Sequence, residues 1–315
     1  MGSHGHLCIP TIDFSKSSLK PDTPEWEVVK SQVMKAAEES GCFVALWDEI
    51  PVHVYKGMEY EVKDLFDIPS ETKTRNVSTG PYRGYIGQRN DMPLYESFRI
   101  GHPCSQDALE SFVQCLWPLG RPTFSENVAS LSKPLADLEC LVKRVVLESL
   151  GVEKYLDELK DSTAYSIRFM KYKVPQNGER DEVGLPAHRD PNVISILYQI
   201  EGDGLEIEAG SGEWIKINPL PGSFIVLFGE ALRAWTNGRL NAAKHRVMMS
   251  GNRPRYSAGF FSIFEQGFIV KAPEELVDEE HPSLFKPFIF EDLMRLSHTD
   301  AMIRYNYVVD AYRNV

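Results

Sequence analysis

The chain from about residue 163 onward is a succession of short segments rich in β-branched and aromatic residues. Seven such segments lie at 166–172, 193–198, 205–208, 214–217, 223–228, 245–249 and 256–263. Glycine and proline residues separate them, among them Gly202, Gly210 and Pro221. Short strands with turn residues between them are typical of antiparallel sandwiches and barrels. This pattern predicts a jelly-roll core at about 163–270.

The region before the core, about 1–160, predicts helices mixed with a few strands. Thr23 and Pro24 suit the cap and the first position of a helix, and Gly41 suits its end. Further helices are predicted from apolar spacing at 54–65 and 124–150, and strands at 9–14 and 43–47.

The end of the chain, about 283–313, turns helical again at 290–296 and 299–310. No linker-like tract interrupts the sequence, so we expect one domain over residues 1–315. Its fold class would be α+β, mainly β, with helices on both sides of the core in sequence.

The composition excludes several classes of partner. The formal net charge is −11 and no run of lysine and arginine provides a nucleic-acid surface. No apolar run approaches the roughly 18 residues of a membrane span, and the first residues are not those of a secretory signal. The five cysteines form no C-x-x-C pair, which argues against a thiolate zinc site. We expect a cytoplasmic monomer that acts on a small molecule.

Two His-x-Asp tripeptides occur, at 188–190 and 298–300. Two histidines and one carboxylate on one face of an octahedron are the ligands of many Fe(II) oxygenases. Residues i and i+2 of a strand point to the same side, so a strand-borne His-x-Asp suits this geometry. The second tripeptide lies in a helical pattern and no histidine follows it. We therefore predict His188, Asp190 and His245 as metal ligands, the alternative being three ordinary polar residues near loop ends.

Arg255 and Ser257 follow His245 on a predicted strand and share one face of it. Arginine is suited to binding a carboxylate through two parallel hydrogen bonds. A buried arginine without a local acid needs an anion, and Tyr172 would add a hydroxyl donor. These residues predict a site for a dicarboxylic cosubstrate, although Tyr172 on its own would be an ordinary core aromatic.

The order Tyr172, His188-x-Asp190, His245, Arg255-x-Ser257 resembles the plant 2-oxoglutarate- and Fe(II)-dependent dioxygenases. The similarity covers nearly the whole chain and includes IPTIDF, AAEESGCFVALW, LFDIPSETK, RGYIG and NGRLNAAKHRV. In its local sequence segments the chain is most similar to the AOP-like group, known from side-chain oxidation in glucosinolate metabolism. The segments that carry this are MKYK, DGLEI and ELVDEEHPSLFKPF.

The resemblance implies a double-stranded β-helix core that uses Fe(II), 2-oxoglutarate and O2, with ascorbate in support. It implies hydroxylation, demethylation, desaturation or ring closure of a small plant specialised metabolite, with succinate and CO2 as coproducts. Arg255, Ser257 and Tyr172 would bind 2-oxoglutarate, and no catalytic residue is expected beyond the metal centre. The retained Asp190 disfavours halogenation, because family halogenases lack this carboxylate. Two alternatives stay open: an oxidase of this fold that does not use 2-oxoglutarate, and a non-catalytic binding protein on an oxygenase scaffold.

The substrate pocket is predicted only by position along the chain. Its candidate residues are Tyr85, Phe98, Arg189, Tyr198, Phe261 and Ile263. Each of the apolar candidates is equally consistent with plain core. Arg189 stands where the family usually has threonine, and it faces solvent or contacts an acidic substrate.

Overall fold

Two β-sheets form the centre of the protein. The computed structural model describes residues 8–15, 19–76, 84–175, 181–218, 220, 222–299 and 305–314. The seven-stranded major sheet contains, in spatial order, β1 (Thr11–Asp13), β2 (Cys42–Leu46), β9 (Ser223–Phe228), β6 (Ile194–Glu201), β11 (Arg255–Phe264), β4 (Thr163–Tyr172) and β3 (Tyr95–Gly101). The four-stranded minor sheet contains β5 (Glu182–His188), β10 (His245–Met249), β7 (Leu205–Glu208) and β8 (Trp214–Lys216). A two-stranded sheet pairs β12 (Ile269–Val270) with β13 (Phe288–Ile289).

The two faces of the major sheet have different neighbours, because successive side chains of a strand point to opposite sides. On the inner face, Leu197 and Leu227 pack in one cluster with Leu205 and Ile207 of the minor sheet. On the outer face, residues such as Phe260 belong to the large core shared with the helices. Two facing sheets, antiparallel except for the parallel pair β1–β2, with helices on the outer face of the major sheet, confirm the predicted double-stranded β-helix.

Eight α-helices lie in the described residues. They are α1 (Pro24–Glu39), α2 (Val52–Asp67), α3 (Ser70–Lys73), α4 (Gln106–Leu116), α5 (Pro122–Ser149), α6 (Leu156–Asp161), α7 (Glu230–Trp235) and α8 (Phe290–Leu296). Short 3₁₀ turns lie at Glu153–Tyr155, Glu274–Leu276 and Val308–Tyr312. The predicted start of α1 is confirmed, since Thr23 Oγ1 accepts a hydrogen bond from the Trp26 amide at 3.3 Å. Within the described residues, no helix combines the length and the apolar character needed to cross a bilayer.

Two features differ from the sequence predictions. The sequence analysis did not predict β5, because Gly184 and Pro186 interrupt its pattern. β5 is an edge strand of the minor sheet, where a residue without an N–H is tolerated. The helix predicted at 299–310 is wrong over 305–307, and only the 3₁₀ turn Val308–Tyr312 follows; residues 300–304 lie outside the described residues.

β1, β2 and β3 come from the N-terminal region and extend the major sheet at both of its ends. β3 pairs with β4 over its whole length, from Tyr95 opposite Tyr172 to Gly101 opposite Ser166. The N-terminal region therefore contributes inner-face side chains as well as the helices that cover the outer face.

Candidate metal centre

His188, Asp190 and His245 come together at one end of the minor sheet. His188 is the last residue of β5 and is the cross-strand partner of His245, the first residue of β10. The ring centroids are 4.2 Å apart, and His188 Nε2 lies 3.6 Å from Asp190 Oδ1. One ligand atom from each residue lies within 4.8 Å of the other two. Asp190 lies two residues beyond the end of β5 and directly before the bend at residues 191–193.

The two imidazole rings are oriented by backbone carbonyls. His188 Nδ1 lies 2.8 Å from the Pro186 carbonyl oxygen, and His245 Nδ1 lies 3.3 Å from that of Ala243. A ring that donates from Nδ1 carries its lone pair on Nε2, which is how the histidines of metal sites are usually held. Both histidines are therefore prepared to bind a metal through Nε2.

The Asp190 carboxylate is held by a residue that the sequence analysis did not single out. Ser195 Oγ on β6 donates to Asp190 Oδ2 at 2.5 Å, while Asn192 Nδ2 donates to Ser195 Oγ at 3.0 Å. The Asp190 carbonyl accepts from the Glu230 amide at 2.8 Å. The sequence did contain one signal for Ser195, since it is a serine at an inner-face position of a mostly apolar strand.

The electrostatics favour the metal-binding protonation states of Asp190 and His245, whereas at His188 burial is outweighed by the hydrogen bond to Asp190 and its charge, which raise the pKa of His188. Burial opposes ionisation of Asp190, but the charge of His245 and the hydrogen bonds from His188 and Ser195 outweigh it and hold the carboxyl pKa well below its usual range. Burial and the nearby charge of His188 lower the pKa of His245 to about 4. An ionised carboxylate beside a neutral imidazole is the donor set that Fe(II) requires.

No second group of three metal-binding side chains occurs among the described residues. The alternative tripeptide is only partly described, because Asp300 lies outside those residues. His298 is partly buried. Burial, together with the charges of Arg168 and Arg99, lowers its pKa. His298 does not join the ligands at 188, 190 and 245.

Arg255 forms the second part of the site. It is 3% exposed, and its Nη1 donates to Ser257 Oγ at 2.7 Å. Its Nε has no hydrogen-bond partner, and among the described residues no carboxylate lies within ion-pair distance of it. Its guanidinium carbon lies 5.2 Å from the ring centroid of Tyr172, whose buried hydroxyl contacts only the weak acceptor Met170 Sδ, at 3.8 Å. Burial lowers the pKa of Arg255 and outweighs the opposing effects of Tyr172 and of the Asp203 carboxylate.

Val247 connects this cationic site with the metal centre. It follows His245 by two residues on β10 and packs in one cluster with Tyr172. Gly204 lies beside both parts: a Cβ added there would lie 3.4 Å from Val247 Cγ1 and 3.5 Å from Arg255 Cδ. The metal centre and the buried guanidinium therefore face the same space between the two sheets, which we call the inner cavity.

The six candidates for the substrate pocket are divided between the two faces. Phe261 alternates with Ser257 on β11 and packs against the inner-face cluster, whereas Ile263, at the same parity, packs against the large core. Phe98 and Tyr198 belong to the outer face: Phe98 packs on Phe66 and Phe112, and Tyr198 on Tyr55.

Tyr85 stacks on Phe98 and donates to Glu96, so it too lies on the outer side. Arg189 places its guanidinium 4.2 Å from the Tyr307 ring centroid. These contacts place Tyr85, Phe98 and Tyr198 in the outer core, and the part of all six candidates in the substrate pocket stays a prediction.

Comparisons with known proteins agree with this geometry. Residues 164–263 match the 2OG-Fe(II) oxygenase superfamily, and residues 9–119 match the family described as non-haem dioxygenase in morphine synthesis, N-terminal. The chain is 42% identical to the probable 2-oxoglutarate-dependent dioxygenase AOP1.2 of Arabidopsis thaliana, over 93% of this chain and 92% of that protein.

Two solved structures share the fold. The dioxygenase for auxin oxidation from rice has a TM-score of 0.82 at 28% identity and covers 97% of this chain and 100% of its own. JOX2, solved with 2OG, Fe and JA, has a TM-score of 0.81 at 22% identity and covers 98% of this chain and 89% of its own.

The sequence match to the AOP-like proteins extends through both the N-terminal region and the core. The ligands of the metal centre lie within the span that matches the superfamily. The chain thus belongs to the 2OG-Fe(II) oxygenase superfamily: it is a 2-oxoglutarate-dependent dioxygenase with the facial triad His188, Asp190 and His245.

Proposed function

We propose that this dioxygenase oxidises a small plant specialised metabolite by hydroxylation, demethylation, desaturation or ring closure. The observation that carries the proposal is that a complete ligand triad and a buried guanidinium, whose Nε has no hydrogen-bond partner, face the same inner cavity. Bound Fe(II) and 2-oxoglutarate supply the activation of O2 for attack on a substrate C–H bond. The Arabidopsis relatives of the AOP-like group support a plant metabolite as the substrate.

We assign the binding of 2-oxoglutarate to Arg255, Ser257 and Tyr172. The buried Arg255 guanidinium would bind the carboxylate that lies farther from the metal, since a fixed fork of N–H donors matches a carboxylate in two parallel hydrogen bonds. Burial raises the pKa of Tyr172, so its hydroxyl stays protonated and is able to donate. The hydroxyl of Ser257 already contacts Arg255 and lies on the same face.

The protein's own task is orientation and the exclusion of water. Ser195 and two backbone carbonyls fix the directions of the three metal ligands. The apolar cluster that includes Val247, Met249 and Leu185 encloses the inner cavity between the sheets. A dry, shaped site of this kind favours oxidation of the bound substrate over side reactions.

Exchange of Arg255 tests the assignment of the 2-oxoglutarate site. For Arg255→Gln we expect the Kd of 2-oxoglutarate to rise by about 30-fold or more, because truncating one partner of a buried charge pair costs about 2 kcal/mol or more. Arg246→Gln is the matched control: this arginine lies on β10, pairs with Glu206 at 2.7 Å and is on the side opposite to His245. Equal affinities in Arg255→Gln and the wild type would contradict the assignment.

The oxidation itself is tested with a plant metabolite extract, Fe(II), ascorbate and 2-oxoglutarate. We expect a product with the mass change of hydroxylation, desaturation or demethylation, together with one succinate for each product. A product formed without 2-oxoglutarate would instead support an oxidase of the same fold. Metal and 2-oxoglutarate binding with no product from any extract would support the non-catalytic alternative.

A further inference from the structure

We propose that the substrate of this dioxygenase is an organic acid, and that its carboxylate binds to Arg168 and Arg99 on the inner face of the major sheet. The inference rests on the proposed function and specifies the chemical class of its substrate. It concerns a second anion site, separate from the guanidinium of Arg255.

The register of the strands places both arginines on the inner face. Arg168 on β4 is the direct partner of Arg99 on β3 and of Gly259 on β11. Gly259 lies between Ser257 and Phe261 in the alternation of β11, and directly paired residues share a face. Arg168 and Arg99 therefore face the same cavity as Ser257.

The same register relates this pair to the metal centre. Phe261 is paired with Ser195 on one side and with Ser166 on the other, and Ser195 donates to the metal ligand Asp190. The backbone of Arg168 lies two strands and two residues away from that of Ser195. At the usual spacings of a β-sheet this corresponds to about 12 Å. Arg168 thus lies within the length of one small molecule of Ser195, the residue that holds the Asp190 carboxylate.

The absence of a side chain at Gly259 leaves room for the Phe261 ring in the row that contains Arg168. A Cβ added at Gly259 would lie only 2.6 Å from the Phe261 ring and 3.2 Å from Leu197 Cδ2. The Phe261 ring therefore lies over Gly259. It forms an apolar surface between the metal centre and the arginines, which suits an apolar body that carries one charged end.

The polar atoms around Arg168 point to a bound anion. Arg168 is 9% exposed, and its Nη1 donates to Ser97 Oγ at 2.8 Å. Ser166, two residues earlier on the same face of β4, is 1% exposed, and its hydroxyl has no hydrogen-bond partner. A buried hydroxyl without a partner costs free energy, and such groups in native proteins commonly serve a ligand.

The pairing of β3 with β4 sets two guanidinium-bearing side chains next to each other. Arg168 and Arg99 are direct partners on these neighbouring strands. Both arginines and His298 also have other interactions in the protein. An incoming carboxylate would join this polar cluster and accept from the Ser166 hydroxyl, which has no hydrogen-bond partner.

The test measures binding of organic acids against their uncharged counterparts. The protein is loaded with Mn(II) and saturating 2-oxoglutarate, so that the metal centre and Arg255 are occupied. Phenylacetate, cinnamate and hexanoate are then titrated by calorimetry and ligand-observed NMR, each beside its primary amide. We expect at least one acid to bind about tenfold or more tightly than its amide.

Variants locate the preference. Arg168→Gln is expected to lower the affinity for the acid by about tenfold or more and to leave the amide unchanged, whereas Arg168→Lys keeps part of the preference. Arg99→Gln provides a second, independent variant with the same expected direction. Arg246→Gln, whose side chain faces outside the cavity, should have no effect.

The outcomes separate the two proposals. Failure of the wild type to bind Mn(II) or 2-oxoglutarate would count against the proposed function. If both bind, the acidic-substrate inference is overturned by any of three results: no acid in the panel binds, the amides bind equally well, or the preference survives in both Arg168→Gln and Arg99→Gln.

Discussion

Removal of the Ser195 hydroxyl should weaken metal binding without disturbing the fold. The Oγ of this buried serine donates to Asp190 Oδ2 at 2.5 Å and accepts from Asn192 at 3.0 Å. A hydrogen bond to a charged group contributes about 1.5–3 kcal/mol. Loss of a residue that orients a metal ligand typically lowers metal affinity about 10- to 100-fold, which corresponds to about 1.4–2.7 kcal/mol. Since the two ranges agree, we expect the Kd of Ser195→Ala for Fe(II) to be about 10- to 100-fold higher than that of the wild type.

The assay is an anaerobic Fe(II) titration in competition with a chelator, repeated with Mn(II). Ser262→Ala is the matched control, because it removes the same hydroxyl from a fully buried serine in the neighbouring strand β11. Ser262 Oγ accepts from the Ile194 amide at 3.0 Å and contacts the Ile194 carbonyl at 3.2 Å, but it lies on the outer face. The control should lose stability and keep its metal affinity.

Two results would refute the role of Ser195. One is a Kd in Ser195→Ala equal to that of the wild type, which would mean that backbone geometry alone orients Asp190. The other is an equal loss in Ser262→Ala, which would show that any buried serine of this sheet affects the site through stability.

Two further predictions concern stability and cosubstrate binding. Burial raises the pKa of Glu230 from 4.5 to about 7, so its contribution to stability is present below pH 4.5 and is lost as the pH rises through 7. Between pH 4.5 and 8, the free energy of unfolding of metal-free Glu230→Gln, measured in urea, should therefore rise by about 3 kcal/mol relative to that of the wild type. A difference between the two proteins that does not change with pH would contradict this. In Gly184→Ala the new methyl group would lie 2.9 Å from Tyr172 Cδ1 and from Met249 Cγ. We therefore expect weaker 2-oxoglutarate binding and a stability loss of about 1–3 kcal/mol. An unchanged Kd for 2-oxoglutarate would show that the Tyr172 ring does not define its binding site.

The metal centre could be predicted from the sequence because its chemistry restricts the residue types. Only His188, Asp190 and His245 combine a His-x-Asp tripeptide with a later histidine at the start of a strand, and the structure brings the three together. The strands of the core were predictable for a related reason. Alternation and turn residues mark β7, β9 and β10 at their observed bounds.

The supporting residues could not be predicted in the same way, since their roles depend on contacts distant in sequence. Ser195 is an ordinary serine until the chain bends after β5 and brings Asp190 to it. β5 itself has Gly184 and Pro186 in its middle, and only its place at the edge of the minor sheet makes that sequence acceptable as a strand. The sequence alone does not state which strand will be an edge.

The residues on the substrate side of the cavity were the hardest to predict from the sequence, because the alternation of side chains along a strand has to be combined with the register between strands. Tyr198 follows Leu197 directly, yet one faces the helices and the other the cavity. Arg168 and Arg99 are each the single arginine of an otherwise mostly apolar strand, a signal visible in the sequence. Their meaning emerges only when β3 and β4 pair and set the two cations opposite each other. A lone arginine at an inner-face position of a buried strand is therefore a better guide to the substrate of such an enzyme than an aromatic residue, because burial alone accounts for the aromatic ring but not for the charge.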